Sequence, residues 1–189
     1  MNAFAAGITV PRKVKLTVDD FLALDARGAF DDYSRTELID GDVYAMNAQH
    51  RRHARVKTRL AVALAGSLES FPALEAIVEP SVAIPPHDAP EPDIVVTSEP
   101  DGEGLVPLSS VRLVVEVSDS TLGFDLGAKA AIYARAAVPE YWVVDVVAGS
   151  VHQLWSPGAD GYNNRRTVRL GEVITAVSIA GLEVELPAR

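Results

Sequence analysis

Two carboxylates stand where carboxylates are expensive. Glu116 lies inside Val114-Val115-Glu116-Val117, and Asp93 opens the apolar run Ile94-Val95-Val96. Desolvating an unpaired carboxylate costs several kcal/mol even after relaxation, so each needs a partner. A divalent cation is one such partner, because Mg²⁺ is held by one or two carboxylates plus waters and substrate phosphate. An arginine, or a strand end that reaches water, is the other, and the pattern alone does not separate the two. Asp125, Lys129 and Tyr133 follow at four-residue steps and so share one face of a helix. Such an Asp–Lys pair is common surface decoration worth ~0.3–0.5 kcal/mol. Its position directly after the strand carrying Glu116 gives it a second use: a cation delivered there neutralises charge developing on a phosphate or holds an attacking water.

A third group is basic. Arg51, Arg52, Arg55, Lys57 and Arg59 place five cations within nine residues. A solvated helix face accounts for several of them. His53 differs, because it shares the stripe of Val56, Leu60 and Leu64 and should point inward. His50-x-x-His53 lacks a third ligand and is a weak metal signal.

The elements that must position these residues follow from local pattern. Residues 1–15 read as a loose arm, and Thr17 with Asp20 forms a helix-starting capping box. Asp40-Gly41 between two apolar runs predicts a β-hairpin. Apolar residues every four positions predict a helix from about residue 50 to 70, which Phe71-Pro72 ends. Extended chain at residues 77–84 leads through a proline-rich loop, residues 85–92, into a short buried strand at residues 93–96. Residues 111–117, β-branched and apolar on both faces, read as a central strand. Residues 125–137 read as a helix and residues 141–144 as another two-sided strand. Short strands follow at residues 151–155, 167–170 and 182–186, with turns expected at Pro157-Gly158 and Asp160-Gly161. This order of elements is that of a mixed α/β domain.

Composition narrows the function classes. A chain of 189 residues, 48% hydrophobic, is long enough for one real core. No cysteine is present, which excludes a disulfide scaffold, a thiolate metal site and a cysteine nucleophile, and is compatible with a cytoplasmic setting. No apolar stretch approaches the roughly 18–20 residues of a membrane span. Residues 1–10 are mildly apolar, but their cations (Arg12, Lys13, Lys15) follow them, the wrong order for a signal peptide. A formal net charge of −9 argues against a sequence-blind nucleic-acid coat, so any nucleic-acid contact must be local. No phosphate-binding loop, dinucleotide fingerprint, nucleophile elbow or zinc-protease motif occurs.

Several blocks occur in order along nearly the whole chain. They are Glu37-Leu38-Ile39-Asp40-Gly41-Asp42, Arg52-His53, Glu91-Pro92-Asp93, Val115-Glu116-Val117-Ser118 with Ser120-Thr121, Asp125-x-x-x-Lys129-x-x-x-Tyr133, and residues 138–145, Val-Pro-Glu-Tyr-Trp-Val-Val-Asp. The set resembles the Uma2 family of endonucleases, also catalogued as a domain of unknown function, in the PD-(D/E)xK restriction-endonuclease-like superfamily. The resemblance implies a central mixed β-sheet flanked by helices, with extra β-hairpins at the C-terminus, over residues 16–189 as a single domain. It implies Asp93 and Glu116 as ligands of Mg²⁺ or Mn²⁺, with Glu37 as a third, supporting carboxylate. Two residues after Glu116 stands Ser118, where the superfamily commonly has lysine. The family pattern carries a lysine on the following helix instead, and Lys129 matches it.

The expectation is therefore a Mg²⁺-dependent nuclease acting on DNA phosphodiesters. Asp93 and Glu116 would bind the metal, Lys129 would act on water or phosphate, and Asp125, Tyr133, His53 and Ser118 would support them. Arg51, Arg52, Arg55 and Lys57 would touch the DNA backbone; no membrane is involved, and a homodimer is left open. The alternative is a catalytically silent nuclease-fold protein that binds nucleic acid or a partner protein.

Overall fold

A computed structural model describes residues 12–186. Most of the arm expected at residues 1–15 lies outside the described residues. Helix α1 (Val18–Asp25) starts as its capping box requires: Thr17 accepts from the Asp20 N–H, and the Asp20 side chain accepts in return. Strands β1 (Thr36–Ile39) and β2 (Asp42–Ala45) form the expected hairpin. Both turn residues, Asp40 and Gly41, have positive φ, as a two-residue type I′ turn requires. A Cβ at position 41 would lie 2.5 Å from the Lys15 Cβ, so only glycine fits there.

Helix α2 (Arg51–Leu68) precedes β3 (Glu75–Val78), and β4 (Val82–Ala83) leads through the proline-rich loop to β5 (Ile94–Thr97). After β6 (Val106–Pro107) comes β7 (Val111–Ser118), the central strand. The helix expected at residues 125–137 is interrupted. A short α3 (Leu122–Phe124) runs into a π-helical turn at Asp125–Lys129, and regular α4 covers only Ala130–Arg135. Then follow β8 (Glu140–Asp145), β9 (Ser150–Gly158), β10 (Gly161–Arg169) and the small pair β11 (Val173–Thr175) and β12 (Glu183–Glu185).

Six strands make one mixed sheet in the order β10-β9-β8-β7-β5-β3, and only β7 and β8 pair parallel. A parallel pair needs a crossover, which α3, the π turn and α4 supply. Alternation along β7 divides its side chains between two cores. Leu113, Val115 and Val117 pack with Leu60, Leu64 and Leu68 of α2, while Val114 packs with Ala130, Ile132 and Tyr133 of α4. Helices on both faces explain why β7 and β8 read as continuous apolar runs. The turn expected at Pro157-Gly158 is instead the end of β9. Pro157 lies past the start of β8, because Glu140 pairs with Trp155, so it has a ladder neighbour on one side only. Among the described residues no helix is long and apolar enough to cross a membrane.

Glu140, in the block at residues 138–145, is fully buried. One carboxylate oxygen accepts from Trp142 Nε1 at 2.6 Å and from the Gln153 amide. The other accepts from the Val177 and Ser178 N–H groups, each at 2.7 Å. Four donors thus tie the segment after β11 to the sheet. Glu140→Gln would aim an amide N–H at one pair of donors and leave them unsatisfied. We expect a loss of ~2–4 kcal/mol in urea unfolding; a loss below about 0.5 kcal/mol would show that this latch does not hold the C-terminal strands.

Candidate active site

The β5–β7 ladder sets Ile94 opposite Val115, so Asp93, one residue back, comes opposite Glu116. Residues directly opposite in an antiparallel pair project to the same face. Both carboxylates are almost wholly buried, and both line one cleft of about 310 Å³. Asp93 Oδ2 accepts from the Val117 N–H at 2.8 Å and lies 3.1 Å from His53 Nε2. Its Oδ1 lies 3.5 Å from Lys57 Nζ. Burial alone would raise the Asp93 pKa, but the His53 and Val117 hydrogen bonds and the Lys57 ammonium pull it below the ordinary value.

Glu116 lies in a different field. Its Oε1 accepts from Lys129 Nζ at 2.9 Å and from the Tyr133 hydroxyl at 3.1 Å, and no described group hydrogen-bonds Oε2. Burial pushes its pKa up to about 8; Lys129 opposes this, while Asp93, Asp125 and Glu37 add to it. Glu37, on β1, also reaches the lysine, 3.1 Å from Nζ, and its Oε2 is buried with no hydrogen bond. Burial raises the Glu37 pKa against the pull of Lys129. Lys129 is itself buried, which alone would lower its pKa, but Glu116 and Glu37 hold it above the ordinary value.

The π turn bears on this geometry. Asp125 and Lys129 do not form the ion pair expected of i,i+4 neighbours on an exposed helix. Asp125 is buried and accepts from the hydroxyls of Ser118 and Thr121, while Lys129 turns to the sheet. Tyr141 donates its hydroxyl to the Asp125 carbonyl at 3.1 Å, which ties the wide turn to β8. π-Helical turns occur preferentially at functional sites.

The basic cluster separates into distinct environments. Arg51 and Arg55 are exposed. Arg52 donates to the Val146 carbonyl at 2.5 Å and lies 4.0 Å from Asp119. Lys57 corrects the expectation of a backbone-contacting cation. It is 7% exposed, and its ammonium binds Glu79 and Gln49, each at 2.6 Å. Its place on the stripe side of α2, three residues before Leu60, draws the stem inward. Glu79 also accepts from Arg35 and Gln49, and Arg35 reaches Glu91 at 3.3 Å. Sequence reasoning did not find Glu79, Arg35 and Gln49. These partners are 22 and 8 residues from Lys57 or meet each other across 44 residues, and no local periodicity marks such distances.

The residues present fit a small hard cation. Glu116 Oε2 accepts no hydrogen bond from described residues; Asp93 Oδ1 and Glu37 Oε2 accept none either but face ammonium groups, Lys57 at 3.5 Å and Lys129 at 3.1 Å, and all three side chains line the cleft. Among the described residues no three His, Cys, Asp or Glu side chains converge as a ready cage.

Comparisons with known proteins bear on the family and the fold. A family model described as "Uma2: Putative restriction endonuclease" matches residues 18–189. The chain is also similar to a solved structure from Anabaena variabilis ATCC 29413, described as "a putative nuclease belonging to DUF820". The two share 16% identity over 86% of this chain and 90% of that one, with a TM-score of 0.66. At that identity the likeness shows a common fold. No curated protein matches the chain.

The raised pKa of Glu116 carries a definite sign. The native state holds this proton more tightly than the unfolded chain, whose value is near 4.5. The contribution is therefore fully present below about pH 4.5 and is lost as pH rises through about 8. Glu37 acts in the same direction, and Asp93 in the opposite one at lower pH. Metal-free protein should lose on the order of 2–4 kcal/mol between pH 5 and 8. Glu116→Gln should flatten most of that slope without lowering stability at pH 8. Urea unfolding at four pH values measures both; an unchanged slope in the variant would place the titration elsewhere.

Proposed function

The chain belongs to the Uma2 family of restriction-endonuclease-like proteins, and on that premise we propose that it is a metal-dependent endonuclease that hydrolyses DNA phosphodiester bonds. The observation that carries this reading is the reach of Lys129. Its Nζ stands 2.9 Å from Glu116 Oε1, although the residue comes from the crossover and not from the strand itself. On this reading the cation that Ser118 cannot provide would come from Lys129, on the crossover.

Asp93 and Glu116 would hold Mg²⁺ or Mn²⁺, with Glu37 as the supporting acid. When bound, such an ion polarises the scissile phosphate and lowers the pKa of a coordinated water. The chain's own groups do the rest. His53 and the Val117 N–H fix the rotamer of Asp93, and Tyr133 fixes that of Glu116. Asp125, held by Ser118 and Thr121, anchors the turn from which Lys129 projects. The Lys129 ammonium places positive charge where negative charge grows on the phosphoryl oxygens. Arg51 and Arg55 would contact the DNA backbone outside the cleft, with Arg52 beside them. Residues 16–189 would act as one domain, in the cytoplasm, in keeping with a six-stranded sheet whose two faces are both covered and with a chain free of cysteine.

One observation favours a second reading, a silent member of the fold that binds nucleic acid or protein. The Lys129 ammonium already neutralises Glu37 and Glu116 internally, which removes part of the need for a metal. Titration of the melting temperature with Mg²⁺ or Mn²⁺ separates the two. Binding to the native state must raise the melting temperature of the wild type, and Asp93→Asn should abolish the rise. No shift at millimolar metal, with supercoiled plasmid and single-stranded DNA both left intact, would favour the silent reading.

Lys129→Met tests the chemistry directly. If the ammonium acts mainly in the transition state, single-turnover plasmid cleavage should fall ~10²-fold or more, about 2.7 kcal/mol, with little change in DNA affinity. Lys129→Arg should rescue only in part, since a planar guanidinium places its charge differently from a compact ammonium. Equal rates in wild type and Lys129→Met would remove the lysine from the mechanism.

A further inference from the structure

The cleft has an aromatic side that phosphodiester hydrolysis leaves unused. Tyr44, on β2, remains 42% exposed although it lines the same cleft as Glu116 and Lys129. Phe124, the last residue of α3, lines it too, and the two ring centroids lie 6.0 Å apart at an interplanar angle of 46°. A partly exposed tyrosine backed by a second ring, at the mouth of a polar, charged cleft, is a stacking surface.

We propose that Tyr44, supported by Phe124, stacks an unpaired nucleobase next to the scissile phosphate, so that the substrate class of this cleft is single-stranded DNA. The proposal rests on the phosphodiesterase reading and deepens it. Size is compatible with it: about 310 Å³ is at the lower end for a small-ligand pocket and admits a nucleotide. Charge supports it independently. A duplex presents one negative charge per ~1.7 Å, and a protein of net charge −9 with Lys57 buried and Arg52 engaged offers it a narrow basic footing. Stacking supplies affinity without that footing, and it is blind to sequence because every base has a π-face. A ring pair that merely pins the β1–β2 hairpin to the crossover would affect every ligand alike; a stacking pair affects only ligands with a base in the right place.

The test is binding of a labelled pentathymidylate, followed by fluorescence anisotropy in Ca²⁺, to wild type and to Tyr44→Ala. The variant should bind roughly 10- to 100-fold more weakly. In a set of pentamers with one abasic position each, one member should show the same loss with wild type and no further loss with Tyr44→Ala. Tyr44→Trp should retain affinity and show quenched tryptophan emission on binding, a readout that also establishes that the site tolerates substitution. Equal loss by Tyr44→Ala on the base-bearing and fully abasic pentamers overturns the proposal, as does wild-type protein that binds neither. A protein that nicks duplex plasmid yet fails these binding tests loses the stacking site and keeps the nuclease reading. One that binds and stacks but never cleaves loses the nuclease reading and keeps the stacking site.

Discussion

Glu116 sits on the inner face of a sheet covered on both sides, where an uncompensated carboxylate is not tolerated. The Lys129 ammonium and the Tyr133 hydroxyl compensate it, and both come from the crossover that joins the parallel strands β7 and β8. The same connection that closes the sheet therefore carries the cation that makes its central carboxylate bearable. Burial is the main cause that raises the Glu116 pKa; Asp93, Asp125 and Glu37 add to it, and Lys129 opposes them.

Rigidity comes from separate anchors on each acid. Asp93 is held by a backbone N–H of the adjacent strand and by a side chain of α2, so its position depends on sheet register as well as on helix packing. Asp125 is held by two hydroxyls of its own connection, and Glu37 by the β1–β2 hairpin and Lys129. Four elements with little local dependence on one another thus converge on one cleft. The C-terminal strands are tied on by a different buried acid, Glu140, which uses neutral donors and takes no part in the cleft.

The acidic balance of the chain is partly an internal matter. Cations that look available in the sequence are engaged by carboxylates or carbonyls: Lys57 with Glu79, Arg35 with Glu79 and Glu91, Arg52 with a backbone carbonyl. Arg51 and Arg55 stay exposed beside the start of α2 and offer a polyanion a small footing there. Recognition on such a surface depends on the shape and chemistry of the cleft more than on long-range attraction.

The sequence by itself determined the central strands β5, β7 and β8, the hairpin turn and the two expensive carboxylates, because continuous apolar runs, Asp-Gly chemistry and desolvation are local properties. It missed β6 and β11 and began β10 six residues late. Its ordered motifs also indicated the family, and with it the sheet flanked by helices. The tertiary structure alone decided which charge meets which. Lys129 passes over Asp125, its four-residue neighbour, for Glu116 and for Glu37, which is 92 residues away, through a π turn that no periodicity announces. Lys57 is drawn inward to Glu79, and Pro157 continues a strand because β8 begins only at Glu140, opposite Trp155, and leaves Pro157 a neighbour on one side only. Local pattern fixes which backbone hydrogen bonds form and which faces are buried. The pairing of charges is a contest among distant side chains, settled by desolvation and distance once the sheet has brought them together.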